Sequence, residues 1–155
     1  MIEGVETKKL RINVDERGFL MEMLRSDDSI FKNFGQAYMT MCKRGVAKAW
    51  HFHKKQDDFF ICVYGEGLVV LFDNRKNSKT FGEINEFTLK APPGESILLK
   101  IPVGVVHGFT SITEQMRIIN IPTELYNYKE PDEFRLEWNS KEVPYKWPNF
   151  VERGG

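Results

Sequence analysis

The feature that most limits the fold of this chain is a succession of short runs rich in β-branched and aromatic residues. Such runs favour β-strands, and turn signals such as Gly65-Glu66-Gly67 and Pro92-Pro93-Gly94 separate nearly all of them. No long helical period intervenes, so the pattern predicts an all-β protein with doubled sheets, a β-sandwich or jelly roll. The runs are KLRINV, QAYMTMC, AWHFH, FFICVY, GLVVLFD, EINEFTL, SILLKI, VVHGFTSI and MRIINIP.

Length and the remaining segments indicate one domain. A chain of 155 residues can bury a core without disulfides or metal, so we expect a single domain over 1–155 with its barrel core at about 36–122. Residues 123–138 are expected to carry a helical turn or two, and residues 139–155 an irregular tail. The N-terminus lacks the apolar segment of a signal peptide, and no run approaches the roughly 18 apolar residues of a membrane span. We therefore expect a cytoplasmic protein.

Charge and cysteine content exclude several classes of partner. The 22 Lys and Arg residues balance 22 Asp and Glu residues, so no net basic field attracts nucleic acid or an anionic membrane. An anionic ligand must be held by locally placed cations. Cys42 and Cys62 lie in apolar runs and do not form a CxxC pair, which predicts buried reduced thiols rather than a disulfide.

Two of the three histidines, His51 and His53, lie one residue apart in a predicted strand. Alternate residues of a strand point to the same face, so both imidazoles are expected to project into one space. The spacing of Gly, His-x-His, Asp58 and Gly over residues 45–65 resembles the first cupin motif, with Asp58 where that family usually has Glu. The string PVGVVHGF places the third histidine, His107, in the second cupin motif. The resemblance implies a cupin jelly roll, a double-stranded β-helix, whose interior these four side chains line.

Further segments resemble one branch of the cupins, the sugar-nucleotide epimerases typified by dTDP-4-dehydrorhamnose 3,5-epimerase. They are DERGFLMEM, FGQ, GEGLVVLFDNRKNSKTFGE, IPVGVVHGF and EWNSKEVPYKWP. The resemblance implies an enzyme without metal or other cofactor that moves protons at carbons beside the ketone of a nucleoside-diphosphate 4-keto-6-deoxy sugar. It also implies a role in deoxysugar and polysaccharide biosynthesis, and a homodimer whose exchanged N-terminal strands complete the nucleotide site.

Proton transfer beside a ketone requires a base on one face of the carbon, an acid on the other, and a donor or cation for the enolate oxygen. By the resemblance, His51 takes the place of the base, Tyr128 that of the acid, and Lys48 that of an arginine near the base. Tyr126 is the alternative acid. Ordinary pKa values of about 6.5 for histidine and about 10 for tyrosine suit these roles. Positional matching gives as further substrate-binding or pocket residues Arg17, Glu22, Gln36, Asp58 and His107.

Three features depart from the epimerase pattern. A glutamine of the epimerases is replaced by His53, and a lysine is replaced by Asp58, whose carboxylate would repel an enolate unless it were protonated or paired. The aspartate that orients the base in the epimerases follows the final Trp-Pro, and here Glu152 is the candidate replacement. These departures leave open whether one carbon or two is epimerised.

Three other hypotheses use the same residues. The string HFHKKQDDFFICVYGEG also resembles sugar-nucleotide 3,4-ketoisomerases, in which the positions of His51 and His53 form a proton shuttle that makes His53 catalytic. Two same-face histidines, a carboxylate and a third histidine also suit a first-row metal. Its ligands would be His51, His53, Asp58 and His107. A cupin that binds a nucleotide sugar without catalysis is the third alternative.

Overall fold

The computed structural model describes residues 1–155 and contains strands but no helix, so no helix is present that could span a bilayer. This confirms the all-β prediction. The strands are β1 (Glu6–Lys9), β2 (Ile12–Asp15), β3 (Gly18–Met21), β4 (Tyr38–Lys43), β5 (Val46–Phe52), β6 (Asp58–Tyr64), β7 (Glu66–Phe72), β8 (Ile84–Lys90), β9 (Ile97–Ile101), β10 (Val106–Ser111), β11 (Gln115–Asn120), β12 (Phe134–Arg135) and β13 (Arg153–Gly154).

Two sheets form the body of the molecule. One sheet has five strands in the order β1-β9-β6-β11-β4, and the other has six, in the order β12-β5-β10-β7-β8 with β13 also on β5. Strands β12 and β13 pair with β5 near its two ends, β12 antiparallel and β13 parallel. The hairpin β2–β3 is a separate two-stranded sheet. The strand β5, which carries His51 and ends one residue before His53, therefore lies between β10 and the C-terminal part of the chain.

The sequence pattern locates most of these strands. Eight predicted runs correspond to single strands, and the first run is divided at Leu10 and Arg11 between β1 and β2. The pattern does not reveal β3, β12 and β13, which are four, two and two residues long. Strands this short carry too few residues to show an alternating pattern.

The prediction of helical turns in residues 123–138 is wrong, because this segment contains no helix. Pro131 has no N–H to donate to a helix. Beyond it, β12 adds to the edge of β5, and Phe134 stacks on Phe52 with ring centroids 5.2 Å apart. The segment is irregular apart from the two-residue edge strand β12, whose pairing with β5 brings residues 132–135 to one end of the barrel.

An apolar core joins the two sheets. Its largest cluster combines residues of β6, β9 and β11 with residues of β7, β8 and β10, and each member is at most 5% exposed. Burying one such large side chain contributes roughly 1.5–3 kcal/mol. Cys42 and Cys62 belong to this cluster and are free, which confirms the prediction of buried thiols.

A β-bulge in β5 sets the direction of the side chains near the His-x-His pair. Lys48 pairs with Phe109 of β10, but His51, three residues further on, pairs with His107, which is only two residues from Phe109. The extra residue on β5 brings Lys48 and His51 to one cavity, whereas strict alternation would send them to opposite faces. Gly108 lies between the two paired positions. An added Cβ there would clash with the side chain of Ala49 in β5, so only glycine fits.

The hairpin β2–β3 exposes apolar side chains. Val14, Phe19 and Leu20 are 69%, 57% and 60% exposed. Clustered apolar residues at this level of exposure characterise surfaces that contact another molecule. The hairpin is therefore a candidate interaction surface.

Candidate active site

A cavity of about 540 Å³ opens between the two sheets, where β4 and β6 face β5 and β10. The connection from β11 to β12 forms its mouth. Side chains that are distant in sequence meet here. The predicted site residues that line it are Gln36, Lys48, His51, His53, Asp58, His107, Tyr126 and Tyr128.

Arg17 and Glu22 do not line this cavity in the single chain. Arg17 donates a hydrogen bond to Asp15 at 2.6 Å within its hairpin, and Arg25 donates to Glu22 at 2.9 Å. The side chains of Arg17 and Glu22 are 83% and 51% exposed. Neither side chain is therefore placed to contact a ligand in the cavity of the single chain.

Asp58, at the start of β6, is 1% exposed, and both of its carboxylate oxygens have partners within the protein. Oδ1 accepts hydrogen bonds from the amide groups of Gln56 and Asn120, both at 2.9 Å. Oδ2 lies 3.1 Å from Nε2 of His53 and 3.5 Å from Nε2 of His107. The carboxylate that replaces the epimerase lysine is thus paired and is not free to repel an enolate.

His53 is held at both ring nitrogens. Its Nδ1 donates to the backbone carbonyl of Asp132, since a carbonyl oxygen can only accept. Burial lowers the pKa of His53, but the hydrogen bond and charge of Asp58 outweigh burial and raise it. Burial raises the pKa of Asp58, but the hydrogen bond from His53 lowers it overall. The two residues form an imidazolium–carboxylate ion pair, which leaves His53 no N–H for the substrate.

His107, in β10, is a buried acceptor that faces the same carboxylate. It is 3% exposed, and its Nδ1 donates to the carbonyl of Val105 at 3.1 Å. Burial lowers the pKa of His107, so the ring is neutral at neutral pH. Because Nδ1 holds the proton, Nε2 presents a lone pair toward Asp58 and the cavity.

His51 is the cavity imidazole whose Nδ1 has no hydrogen-bond partner in the protein, and its side chain is 16% exposed. Burial, followed by the nearby His107 and Arg135, lowers the pKa of His51 to about 3. The ring is therefore neutral at neutral pH and can accept a proton. Its Nε2 lies 4.0 Å from Oε1 of Glu133.

Lys48 supplies a cation to the same wall of the cavity. Its Nζ donates to Oγ1 of Thr40 at 2.7 Å and lies 6.0 Å from the centre of the Phe109 ring. The ammonium forms no ion pair in the structure, so its charge is available to an anionic group of a ligand. The β5 bulge is what places it beside His51.

Three tyrosines border the cavity. Tyr126 and Tyr128 pack edge to face with ring centroids 5.0 Å apart, and Tyr128 is 90% exposed. The hydroxyl of Tyr38 accepts a hydrogen bond from Asn120 at 2.9 Å, which leaves its own proton free. Burial and the charge of Asp58 raise the pKa of Tyr38 to about 12. Tyr38 was not indicated by the sequence pattern.

The Asp58 cluster also contains the donor atoms of a metal site. Nitrogen atoms of His53 and His107 and an oxygen of Asp58 lie within 4.8 Å of one another. Backbone carbonyls fix both imidazoles, as is usual for histidine ligands. The group does not include His51, so the four-ligand hypothesis reduces to three ligands. These three residues fit a divalent first-row cation, and a proton on His53 satisfies the same atoms.

The sequence pattern misses several polar residues of the mouth. The side chain of Asp132 accepts hydrogen bonds from the backbone N–H groups of residues 54–56. Glu133 pairs with Arg135 at 2.7 Å. No local motif marks these residues, because they reach the cavity only through the pairing of β12 with β5.

The prediction that Glu152 replaces the orienting aspartate is wrong. The backbone N–H of Glu152 donates to the carbonyl of Gly45, just before β5 begins. His51 lies near the other end of that strand, roughly 15–20 Å away at about 3.3 Å per residue. Glu152 does not line the cavity.

Known proteins resemble this chain along nearly its whole length. The family model described as dTDP-4-dehydrorhamnose 3,5-epimerase matches residues 1–153. The spore coat polysaccharide biosynthesis protein SpsL of Bacillus subtilis (strain 168) is 41% identical over 150 residues, which cover 95% of this chain and 97% of the relative. The dTDP-4-dehydrorhamnose 3,5-epimerase of Methanothermobacter thermautotrophicus is 30% identical over 155 residues, covering 95% and 80%. A solved dTDP sugar isomerase from Desulfovibrio desulfuricans G20 superposes with a TM-score of 0.87 at 28% identity, covering 94% of this chain and 92% of that chain.

The fold and the cavity define a jelly-roll enzyme of the isomerase class. The chain belongs to the dTDP-4-dehydrorhamnose 3,5-epimerase family. The predicted jelly roll, family and isomerase class are thereby confirmed.

Proposed function

We propose that this protein epimerises a nucleoside-diphosphate 4-keto-6-deoxy sugar at a carbon beside the ketone. His51 removes the proton, Lys48 stabilises the enolate oxygen, and Tyr128 returns a proton to the opposite face. Relatives named as dTDP-4-dehydrorhamnose 3,5-epimerases support a dTDP-linked substrate. A relative named for spore coat polysaccharide biosynthesis supports a role in surface polysaccharide synthesis. Since nucleotide sugars are intracellular intermediates, we infer a cytoplasmic location.

The observation that carries the proposal is a neutral imidazole beside an unpaired ammonium on one wall of the cavity. Removing a proton beside a ketone leaves negative charge on the former carbonyl oxygen, so a base and a cation must act on the same small substrate. His51 is uncharged at neutral pH, and Lys48 has no carboxylate partner. This pair supports enolate chemistry more directly than simple ligand binding.

The hydrogen bonding of His53 favours epimerisation over 3,4-ketoisomerisation. A shuttle between neighbouring sugar carbons would need both His51 and His53 to exchange protons with the substrate. Both ring nitrogens of His53 already face protein oxygens, from Asp58 and Asp132. His53 is therefore assigned to the ion pair that shapes the pocket, and His51 acts as the base without it.

Deuterium incorporation from heavy water tests this function. We expect exchange at C3, C5 or both when the protein is incubated with a panel of dTDP-, GDP- and UDP-linked 4-keto sugars, followed by NMR. The dTDP-linked sugar is expected to exchange fastest. A ketone that moves from C4 to C3 would select the ketoisomerase hypothesis, and binding without exchange would select the non-catalytic one.

Replacing Tyr128 by phenylalanine is expected to separate exchange from inversion. Without the acid on the opposite face, His51 can still remove and return a proton, so exchange persists while inversion falls by about 10²-fold or more. Chiral analysis of the product sugar alongside deuterium content measures the two rates. Tyr126→Phe is the matched control, since its ring lies 5.0 Å from that of Tyr128. A larger loss of inversion in the Tyr126 variant would reassign the acid.

A homodimer is part of the proposal, because the single chain leaves two predicted substrate-binding residues outside the cavity. The hairpin β2–β3 presents exposed Phe19 and Leu20 next to Arg17. Docking of this hairpin on a second copy would bury the apolar side chains and bring Arg17 and Glu22 toward the nucleotide of the other cavity. Light scattering of the protein should give twice the mass of one chain. Phe19→Ser with Leu20→Ser should shift the mass to that of a monomer.

Removal of metal is expected to leave the activity unchanged. Proton transfer by His51 and Lys48 requires no ion, and a proton on His53 satisfies the donor atoms around Asp58. The measurement is the exchange rate before and after dialysis against EDTA, with elemental analysis of the same samples. Loss of activity on chelation, restored by one divalent metal, would contradict this expectation and favour the metal-dependent hypothesis.

A further inference from the structure

The base of the proposed reaction lacks the aspartate that orients it in the epimerase pattern, and few carboxylates of the cavity can replace that residue. Asp58 is engaged by the imidazolium of His53 and by two amides. The side chain of Asp132 is engaged by three backbone N–H groups. Glu152 lies outside the cavity. Glu133 remains.

The pairing of β12 with β5 fixes Glu133 beside the base. Arg135 lies directly opposite His51 in this pairing. The guanidinium of Arg135 holds Oε1 of Glu133 through its Nη2 at 2.7 Å and its Nε at 3.1 Å. The same oxygen lies 4.0 Å from Nε2 of His51, and the Glu133 side chain is 26% exposed. A carboxylate on an edge strand, held by its own arginine, thus faces the imidazole from the mouth.

We propose that Glu133 is the positioning residue of the base, accepting the Nε2–H of His51 and leaving Nδ1 to take the proton from the sugar. This assignment rests on the proposed function. Hydrogen-bond contact requires an approach of about 1 Å, a change that often accompanies substrate binding at catalytic sites. Neither ring nitrogen of His51 forms a hydrogen bond within the protein, but Nε2 is the one that lies near Glu133, so Nδ1 is left for the substrate.

A carboxylate beside His51 would also offset the surroundings that disfavour a positive charge on this ring. His51 is surrounded by His107, His53, Lys48 and Arg135, and this environment together with burial disfavours its protonated form. A carboxylate that moves onto Nε2 stabilises the imidazolium formed during proton removal and fixes the neutral ring in one tautomer, as the aspartate of a catalytic triad does. The hydrogen bonds of Arg135 to Glu133 hold that carboxylate on the side of the imidazole.

Glu133→Gln tests the proposal, with Glu130→Gln as the matched control on the same connection, where Glu130 is exposed and outside the cavity. We expect kcat for solvent exchange to fall roughly 100-fold with KM changed less than about threefold, while the control stays at the wild-type rate. Glu133→Asp, which keeps the charge on a shorter side chain, should recover part of the rate. In the complex with a dTDP-linked sugar, nitrogen-15 NMR should report the Nε2–H tautomer of His51 in wild type and a shift toward a mixture in Glu133→Gln.

The outcomes separate this inference from the proposed function. A raised KM with unchanged kcat would make Glu133 a substrate-binding residue and overturn the proposal, as would a wild-type rate with an unchanged tautomer. If His51→Asn abolishes exchange in either of these cases, the proposed function stands while this inference fails. If His51→Asn retains full exchange, the proposed function itself fails.

Discussion

His51→Asn is expected to reduce the exchange of sugar protons with solvent by about 10²- to 10⁴-fold. Asparagine fills a similar space and can hydrogen-bond, but its amide cannot accept a proton at neutral pH. Because the base acts in the transition state, the loss should fall on kcat rather than on KM. The measurement is the rate of deuterium incorporation at saturating dTDP-linked 4-keto sugar.

Two measurements test whether the His51→Asn variant keeps the wild-type fold. The affinity for dTDP, measured by calorimetry, and the thermal midpoint should both match the wild type, since His51 lies in the cavity and outside the apolar core. Glu152→Gln, a change at the other end of β5, should leave the exchange rate unchanged. Exchange within tenfold of the wild-type rate in His51→Asn would remove the base from the proposed mechanism.

The strands β4 to β11 are predictable from the sequence because they are five to seven residues long and turn signals separate nearly all of them. The placement of His51, His53 and His107 in one cavity follows from the two motif spacings. The position of Lys48 does not follow from alternation. An extra residue in β5 turns it toward His51, and bulges have no reliable sequence signature in a single chain.

The polar mouth was not predictable for a different reason. Residues 132–135 reach the cavity through a two-residue strand that pairs across a long sequence separation. Their sequence, with Pro131 among charged residues, has neither helical nor strand periodicity. Interactions such as that of Glu133 with His51 therefore become visible only when the tertiary structure is known. Arg17 and Glu22 remain predictions, because they lie outside the cavity of the single chain.

The two departures from the epimerase pattern at the cavity, His53 and Asp58, compensate each other in charge. A lysine in the epimerase pattern brings a positive charge, and Asp58 alone would reverse it. The simultaneous replacement of glutamine by His53 supplies an imidazolium that neutralises the carboxylate at 3.1 Å. The pair is close to neutral overall, so in the proposed mechanism Lys48, on the opposite sheet, is the cation that stabilises the enolate. Under that proposal, the departures change which cation serves the reaction without removing the base.

Asp58→Ala is expected to lower the free energy of unfolding by about 3–5 kcal/mol, the usual cost of removing one partner of a buried ion pair. The change leaves the imidazolium of His53 and the amides of Gln56 and Asn120 without their acceptor in a fully buried site. Urea unfolding at about pH 5.5 of chelator-treated protein measures the loss. Asp57→Ala removes a neighbouring buried carboxylate that pairs with Lys32 at 3.1 Å and accepts from the backbone N–H of Val103, so it measures the cost of losing a buried carboxylate that does not contact His53.

Asp58→Asn separates charge from hydrogen bonding at the same position. The introduced amide can accept from Gln56 and Asn120 and donate to a neutral His53, so near wild-type stability is expected once the pH exceeds the folded-state pKa of His53. The pKa of His53 is higher in the folded protein than its ordinary value of 6.5. The ion pair therefore contributes its full stabilisation to the fold below pH 6.5, and this stabilisation is lost as the pH rises through the folded-state pKa. The pKa of Asp58 is lower in the folded protein than its ordinary value of 3.8. The stabilisation from the ion pair is therefore complete above pH 3.8 and is lost as the pH falls through the folded-state pKa.

The stability difference between wild type and Asp58→Asn should therefore be largest between pH 3.8 and 6.5 and should shrink on both sides of that interval. Urea midpoints at several pH values give the profile. The double variant His53→Gln with Asp58→Asn should show no such dependence, because the titrating pair is gone. A difference that is constant with pH would mean that His53 and Asp58 do not share charge in the folded protein. In that case a cation other than His53 would balance the charge of Asp58, and that cation would explain why the cavity tolerates a carboxylate in place of a lysine.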